Sequence, residues 1–142
     1  MYKDFSEMPV WKLAMEVAED VYIITNELPK KEDYGLTSQI RRASVSVSAN
    51  IAEAFGRSTS PDKNKFYDYS RGSAFETKSL LIYGNKVGYF ETESTQQIIE
   101  KLSKIIYDLN KVKVALANKI VHHPLPKPIP QPIPQPLPQP LP

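Results

Sequence analysis

The sequence contains no cysteine, only two histidines, five glycines and one tryptophan in 142 residues. Without cysteine there is no disulfide framework, no thiolate metal site and no cysteine nucleophile. The histidines, His122 and His123, are adjacent near the end of the chain. They therefore cannot supply the Glu-x-x-His pairs that a ferritin-like centre draws from two helices, so no metal site is expected in a helical core. A helical ribonuclease built on an Arg-to-His motif within one helix is disfavoured for the same reason. P-loop and dinucleotide-binding glycine patterns are missing too. No apolar run approaches the roughly 20 residues needed to cross a bilayer, and "MYKDFSEMPVWK" lacks the zones of a secretion signal. These absences predict a cytoplasmic protein without a membrane role, a cofactor or catalytic residues.

Proline, by contrast, is abundant and unevenly placed. Ten of the thirteen prolines occupy every second position of "PLPKPIPQPIPQPLPQPLP", residues 124 to 142. Proline lacks the N–H donor and restricts its predecessor, so this segment should favour polyproline II, reaching at most about 59 Å at roughly 3.1 Å per residue. We expect one domain over residues 1–121 and a proline-rich tail over 122–142. The tail reads as a semi-rigid extension. Its recurring Leu125, Ile129, Ile133, Leu137 and Leu141 also allow docking, on a proline-recognising partner or on the chain's own bundle.

Four amphipathic segments precede the tail, separated by "LPKKEDYG", "GRSTSP" and "GYFETES". In the first, Val10, Ala14, Val17, Val21, Ile24 and Leu28 step by three and four, with Pro29 ending the helix. The third starts with Ser60 as the expected N-cap and Pro61 at the first helical position. Its core line is Phe66, Ser70, Ser73, Thr77, Leu80, Gly84 and Val87, with Gly88 closing it. In the fourth, Ile98, Leu102, Ile105, Leu109, Val112 and Leu116 form a helical stripe.

The second segment is ambiguous, because "ASVSVSAN" at residues 43 to 50 alternates as a half-buried strand would. Ile40, Val47, Ile51 and Ala54 instead continue the helical spacing through it, and this longer pattern predicts a helix. Ser and Val cost a few tenths of a kcal/mol each relative to Ala in a helix, so tertiary contacts must hold it. Ala43, Ser44, Ser48, Ala49 and Ala52 permit close helix approach, and the serine hydroxyls can bond carbonyls one turn back. With short connections, the expected architecture is all-α: an antiparallel up-down-up-down four-helix bundle.

The second helix also carries a polar line, Arg42, Ser46, Asn50, Glu53 and Arg57, in which Glu53 and Arg57 form an i,i+4 pair. One alternative is a solvated or interface-facing stripe. The other is a phosphate-facing patch of Arg41, Arg42 and Arg57 joined by Lys63, Lys65 and Arg71. Residues 1 to 33 hold four Lys/Arg against eight Asp/Glu, and residues 34 to 121 hold thirteen against eight. The bundle is thus polarised rather than strongly basic, and several copies would be needed to bind a polyanion with avidity. A serine nucleophile would need a nearby base, and packing explains "SVSVSA" more simply. Tyr67, Tyr69, Tyr83 and Tyr89 can stack on unpaired bases, although aromatics at helical spacing more often serve core or subunit contacts.

The stretch "YGLTSQIRRASVSVSANIAEAFGR" (34 to 57), followed by "FYDYSRGSAFETKSLLIYGNKVGYF" (66 to 90), resembles the four-helix-bundle family encoded in intervening sequences of 23S ribosomal RNA genes. The resemblance extends from about Phe5 to about Ile120, with "VWKLAMEVAEDVY" like the family's opening helix. That family includes relatives of the accessory protein of diversity-generating retroelements, which implies a homopentameric barrel contacting nucleic acid (RNA or DNA) or a reverse transcriptase. Position by position, the resemblance marks Tyr34, Gly35, Arg41, Arg42, Asn50, Glu53, Gly56, Arg57, Gly72 and Ser73. Gly35 and Gly56 read as helix ends, Gly72 as a close helix contact, and Asn50 with Glu53 as polar bonds inside the bundle or between subunits. Ala54 and Phe55 depart mildly from the family pattern, and the proline tail lies outside it.

Overall fold

The computed structural model describes residues 1–122 and, further along, residues 126, 128–132, 134 and 138–140. Among these residues there are four long helices and no strand: α1 (Pro9–Thr25), α2 (Leu36–Gly56), α3 (Ser60–Lys86) and α4 (Thr92–His122). Short 3-10 turns at Phe5–Glu7 and Lys30–Glu32 precede α1 and α2. The helix α4 continues to His122, one residue past the expected domain boundary. The polyproline II tail expected over residues 124 to 142 lies partly outside the described residues, as does His123; those described in the tail are exposed and carry neither helix nor strand.

Each helix packs on two others: α1 on α2 and α4, and α3 on α2 and α4. Alternating apolar spacing accounts for α1 and α4, whose Val10, Ala14, Val17 and Val21 meet Ile98, Leu102, Ile105 and Leu109 in one core. The alternating "SVSVS" segment is helical, with Val47 fully buried and Val45 exposed. Its hydroxyls return to the backbone as expected. Ser44 donates to the Arg41 carbonyl at 3.1 Å, Ser46 to Arg42 at 2.9 Å and Ser48 to Val45 at 3.2 Å. Ala43, Ser44 and Ser48 are buried, but Ala49 faces solvent and makes no close helix contact here. Ser70 on α3 donates to the Val47 carbonyl at 2.7 Å, a buried bond that joins α3 to the middle of α2.

The helix α3 departs from expectation in two respects. Its N-cap is Thr59, not Ser60, because the Thr59 hydroxyl accepts from the Asp62 N–H at 3.3 Å; Pro61 therefore stands second in the helix. Its buried line is Tyr67, Ser70, Ala74, Thr77, Leu81 and Gly84, while Phe66, Ser73 and Leu80 are only half-buried and Val87 is exposed. With polar or small residues at both candidate lines, the apolar period alone did not fix which one turned inward. Burial pushes the Tyr67 hydroxyl above its ordinary pKa.

The α3–α4 connection is a Schellman closure. Gly88 adopts φ +88°, the Tyr89 N–H reaches the Gly84 carbonyl at 2.8 Å, and Gly88 N–H reaches Asn85 at 3.1 Å. The ring of Phe90, 5% exposed, then folds back against Gly84.

Among the described residues one buried polar side-chain atom is unmatched: the Thr37 hydroxyl, in the first turn of α2, has no hydrogen-bond partner. An unmet hydroxyl costs about 1–3 kcal/mol, and Val and Thr have similar helix propensities. Thr37→Val should therefore stabilise the fold by about 1 kcal/mol and raise the melting temperature by a few degrees. An unchanged or lower melting point would show that the hydroxyl is satisfied in solution.

Candidate nucleic-acid interface

The six basic residues expected to form one patch are distributed over four places. Arg41 straps α2 to the end of α1. Its Nε donates to Thr25 Oγ1 at 2.8 Å, one terminal nitrogen donates to Asn26 Oδ1 at 3.0 Å, and the guanidinium lies 4.5 Å from the Tyr22 ring centre. The Thr25 hydroxyl in turn donates to the Val21 carbonyl at 2.7 Å, so its oxygen both accepts and donates. With its donors directed into the α1–α2 seam, Arg41 does not join its neighbour Arg42.

Arg42, about 100° further round α2, is exposed and donates to Ser38 Oγ at 2.9 Å. It lines a polar groove of about 330 Å³ with Tyr34, Gly35, Ser38, Ser46 and Glu76. Arg71 belongs to the α3–α4 seam, where it donates to Asp68 Oδ1 at 2.9 Å and Asn110 Oδ1 at 2.7 Å. Lys113 approaches the same Asp68 at 3.2 Å. Arg71 is thus held by a carboxylate and an amide rather than presented to a ligand.

The remaining three cations do come together, at the corner where α2 passes into α3. Arg57 pairs with Glu53 at 2.6 Å and lies 4.3 Å over the ring of Phe66. Lys65 stands 5.8 Å from that same ring and 5.9 Å from Tyr69. Lys63 donates to the Ala54 and Phe55 carbonyls at 3.3 and 2.9 Å, neutralising the negative end of α2. Its ammonium is 5.8 Å from the Phe55 ring. Among the described residues Lys63 and Lys65 form no ion pair. The corner therefore combines cations with aromatic faces, each supporting the other.

Of the tyrosines, Tyr67 is core, Tyr89 packs against the core, and Tyr69 and Tyr83 are about half exposed. The polar side chains of α2 act locally: Asn50 donates to the Ser46 carbonyl at 2.8 Å, and Glu53 serves Arg57. Gly35 and Gly56 do stand at the two ends of α2. Gly72 is not a close helix contact within the chain. It is exposed, and a Cβ added there meets no atom within 4 Å. The close approach is at Gly84 instead, where an added Cβ falls 2.3 Å from two Phe90 ring carbons.

A second cation–aromatic group on α4 escaped the sequence reading. Lys111 and Lys104 flank Tyr107, at 4.7 and 5.5 Å from its ring centre. Their spacing, three and four residues either side of Tyr107 on the face opposite the α4 core stripe, was the available signal. Lys101, on the same helix, is paired with Asp20 at 2.7 Å, and that hydrogen bond holds its ammonium above the ordinary lysine pKa.

The fold and this surface define a small four-helix protein with a cation–aromatic corner and, among the described residues, no His/Cys/Asp/Glu group able to hold a metal ion. The profile of the family described as 23S rRNA-intervening sequence protein matches residues 6–111. The chain belongs to that family. It is also similar to a crystal structure of a protein of unknown function from the S23 ribosomal protein family of Bacteroides thetaiotaomicron VPI-5482. That likeness has a TM-score of 0.66 and 23% identity, covering 73% of this chain and 97% of the other, and it shows the shared fold. No curated protein matches the chain. No helix among the described residues is long and apolar enough to cross a membrane.

Proposed function

We propose that this protein is a non-enzymatic helical scaffold that binds RNA through the α2–α3 corner, with Arg57 and Lys65 meeting phosphates while Lys63 stays on the carbonyl end of α2. The observation that carries this reading is the sharing of the Phe66 ring by Arg57 and Lys65. The ring draws two cations to one corner, 4.3 and 5.8 Å from its centre, which suits a ligand carrying several negative charges. Arg42 lies about 22 Å back along α2 at 1.5 Å per residue, so it adds charge only to a ligand that spans most of that helix. Membership in a family named for 23S rRNA intervening sequences makes RNA the first ligand to test; structured DNA or a reverse transcriptase is the next.

The scaffold is proposed to be antiparallel and oligomeric. Arg71 on α3 bonds Asn110 on α4, and Asn64, nearer the start of α3, receives Lys113, further along α4, at 3.1 Å; the two pairs support antiparallel packing of α3 and α4. Exposed Val45, Ile82 and Tyr83 on α2 and α3 support contacts between copies, and the homopentamer is the assembly implied by the resemblance. Assembly would repeat a modest basic corner several times along one ligand.

The test is fluorescence anisotropy of labelled structured RNA at about 50 and 200 mM salt, where phosphate-dominated binding falls steeply. The expected result is tight binding at low salt that weakens about a hundredfold or more at the higher one. Arg57→Gln with Lys65→Gln should weaken binding across sequences and reduce the slope of log affinity against log salt by about one to two. Absence of association at either salt would sink the proposal and turn attention to a protein partner held by the proline tails.

A further inference from the structure

Gly72 has no packing role inside the bundle, yet its position gives it one at the surface. It lies one turn after Tyr69 on the exposed side of α3, and the side chains of a helix lean toward its N-terminus, over the preceding turn. A larger residue at 72 would therefore lie over Tyr69. With glycine there, nothing stands within 4 Å of where a Cβ would be, and Tyr69 is 48% exposed. Phe66 meets the Tyr69 ring edge-on, with centroids 5.5 Å apart and planes at 87°, which fixes the ring from one side. Lys65 places its ammonium 5.9 Å from the same ring, and Arg57 stands over Phe66 just behind.

From this arrangement we infer that Tyr69 is a stacking platform for an unpaired nucleotide, kept open by Gly72, with Lys65 and Arg57 taking the adjoining phosphates. The inference rests on the nucleic-acid reading above and sharpens it: the ligand class is single-stranded or looped RNA rather than continuous duplex. Every base offers a π-face, so such a platform binds unpaired segments with little sequence preference, and paired bases are unavailable to it. The exposure of Tyr69 beside Lys65, with Arg57 over the adjoining Phe66 ring, separates it from Tyr67, which is buried in the core.

The experiment uses the full chain, a labelled RNA strand without self-complementarity, and the duplex that strand forms with its complement, all at about 50 mM salt. The single strand should bind more tightly than the duplex. Tyr69→Ala should weaken single-strand binding about tenfold and leave duplex binding within about twofold, whereas Tyr69→Phe, which keeps the ring, should retain affinity. Gly72→Leu should cost single-strand affinity similarly by covering the ring. Since the space at 72 is open and leucine is the better helix former, this variant should melt no lower than the parent. Binding of both RNAs with no effect of Tyr69→Ala would overturn the platform and leave the nucleic-acid reading intact; binding of neither RNA would end both. A Gly72→Leu protein of reduced mass in solution, alongside full single-strand affinity in Tyr69→Ala, would overturn the inference by assigning the gap at 72 to contacts between copies.

Discussion

Gly84→Ala is expected to destabilise the protein by about 2–3 kcal/mol, although alanine is the better helix former by about 1 kcal/mol at an ordinary interior position. The added methyl would fall 2.3 Å from both Cδ2 and Cε2 of Phe90. Neither party can yield easily. Phe90 is almost wholly buried and its backbone N–H is tied to the Gly84 carbonyl at 3.2 Å, within the closure that reverses the chain at Gly88. The ring must leave its site, forfeiting roughly the 1.5–3 kcal/mol that burying a phenylalanine supplies. Thermal denaturation should show a midpoint lower by about 10 °C. In a Phe90→Ala background the same Gly84→Ala change should be neutral or stabilising, because the obstructing ring is gone and helix propensity remains. A Gly84→Ala protein that melts higher than its parent would mean that the ring does not sit on Gly84 in solution.

Nearly as large an effect is expected within "SVSVS", where two valines two residues apart should behave oppositely. Val47 is fully buried and its carbonyl receives the Ser70 hydroxyl; Val45 is 54% exposed. Val47→Ala removes two buried methyl groups and leaves a cavity, costing about 2 kcal/mol. Val45→Ala should be neutral or slightly stabilising, since alanine is the better helix former and little apolar area is lost. Urea denaturation of both variants reads the difference directly as a shift in midpoint. In a strand, residues 45 and 47 would share one face and the two substitutions would have like effects. Equal losses at both positions would therefore contradict the helical assignment or place Val45 inside a contact between copies.

Comparison of the helices shows how far the sequence can be read and where it stops. For α1 and α4 the inward stripe was legible because strongly apolar residues recur at three and four against polar neighbours. Val10, Val17 and Val21, with Ile98, Leu102, Ile105 and Leu109, are all buried. The helix α2 was recoverable through its flanks, since Ile40 and Ile51 lock the phase that the alternating serines and valines blur. In α3 the expected line shares Ser70, Thr77 and Gly84 with the buried one, but Tyr67, Ala74 and Leu81 turn inward where Phe66, Ser73 and Leu80 were expected. Phe66 and Tyr67 are adjacent aromatics, and the positions a turn on are Ser70, Ser73 and Ala74, none apolar enough to choose between them.

The candidate site shows the same division. The cation-rich segment was evident from composition, but Arg41 and Arg42 are neighbours about 100° apart around α2, one directed into the α1 seam and the other toward solvent. Residue spacing along one helix cannot reveal that Thr25 and Asn26 stand ready to receive Arg41, or that Asp68 and Asn110 hold Arg71. The clustering of Arg57, Lys63 and Lys65 depends on the connection that folds α3 back beside the end of α2. By itself the sequence determined four helices, the inward faces of three of them and the glycine closure at residue 88, because those follow from local period and backbone sterics. Only the tertiary structure decided which cations are left for a ligand and which glycine is crowded, since both depend on which atoms distant parts of the chain bring within a few ångströms.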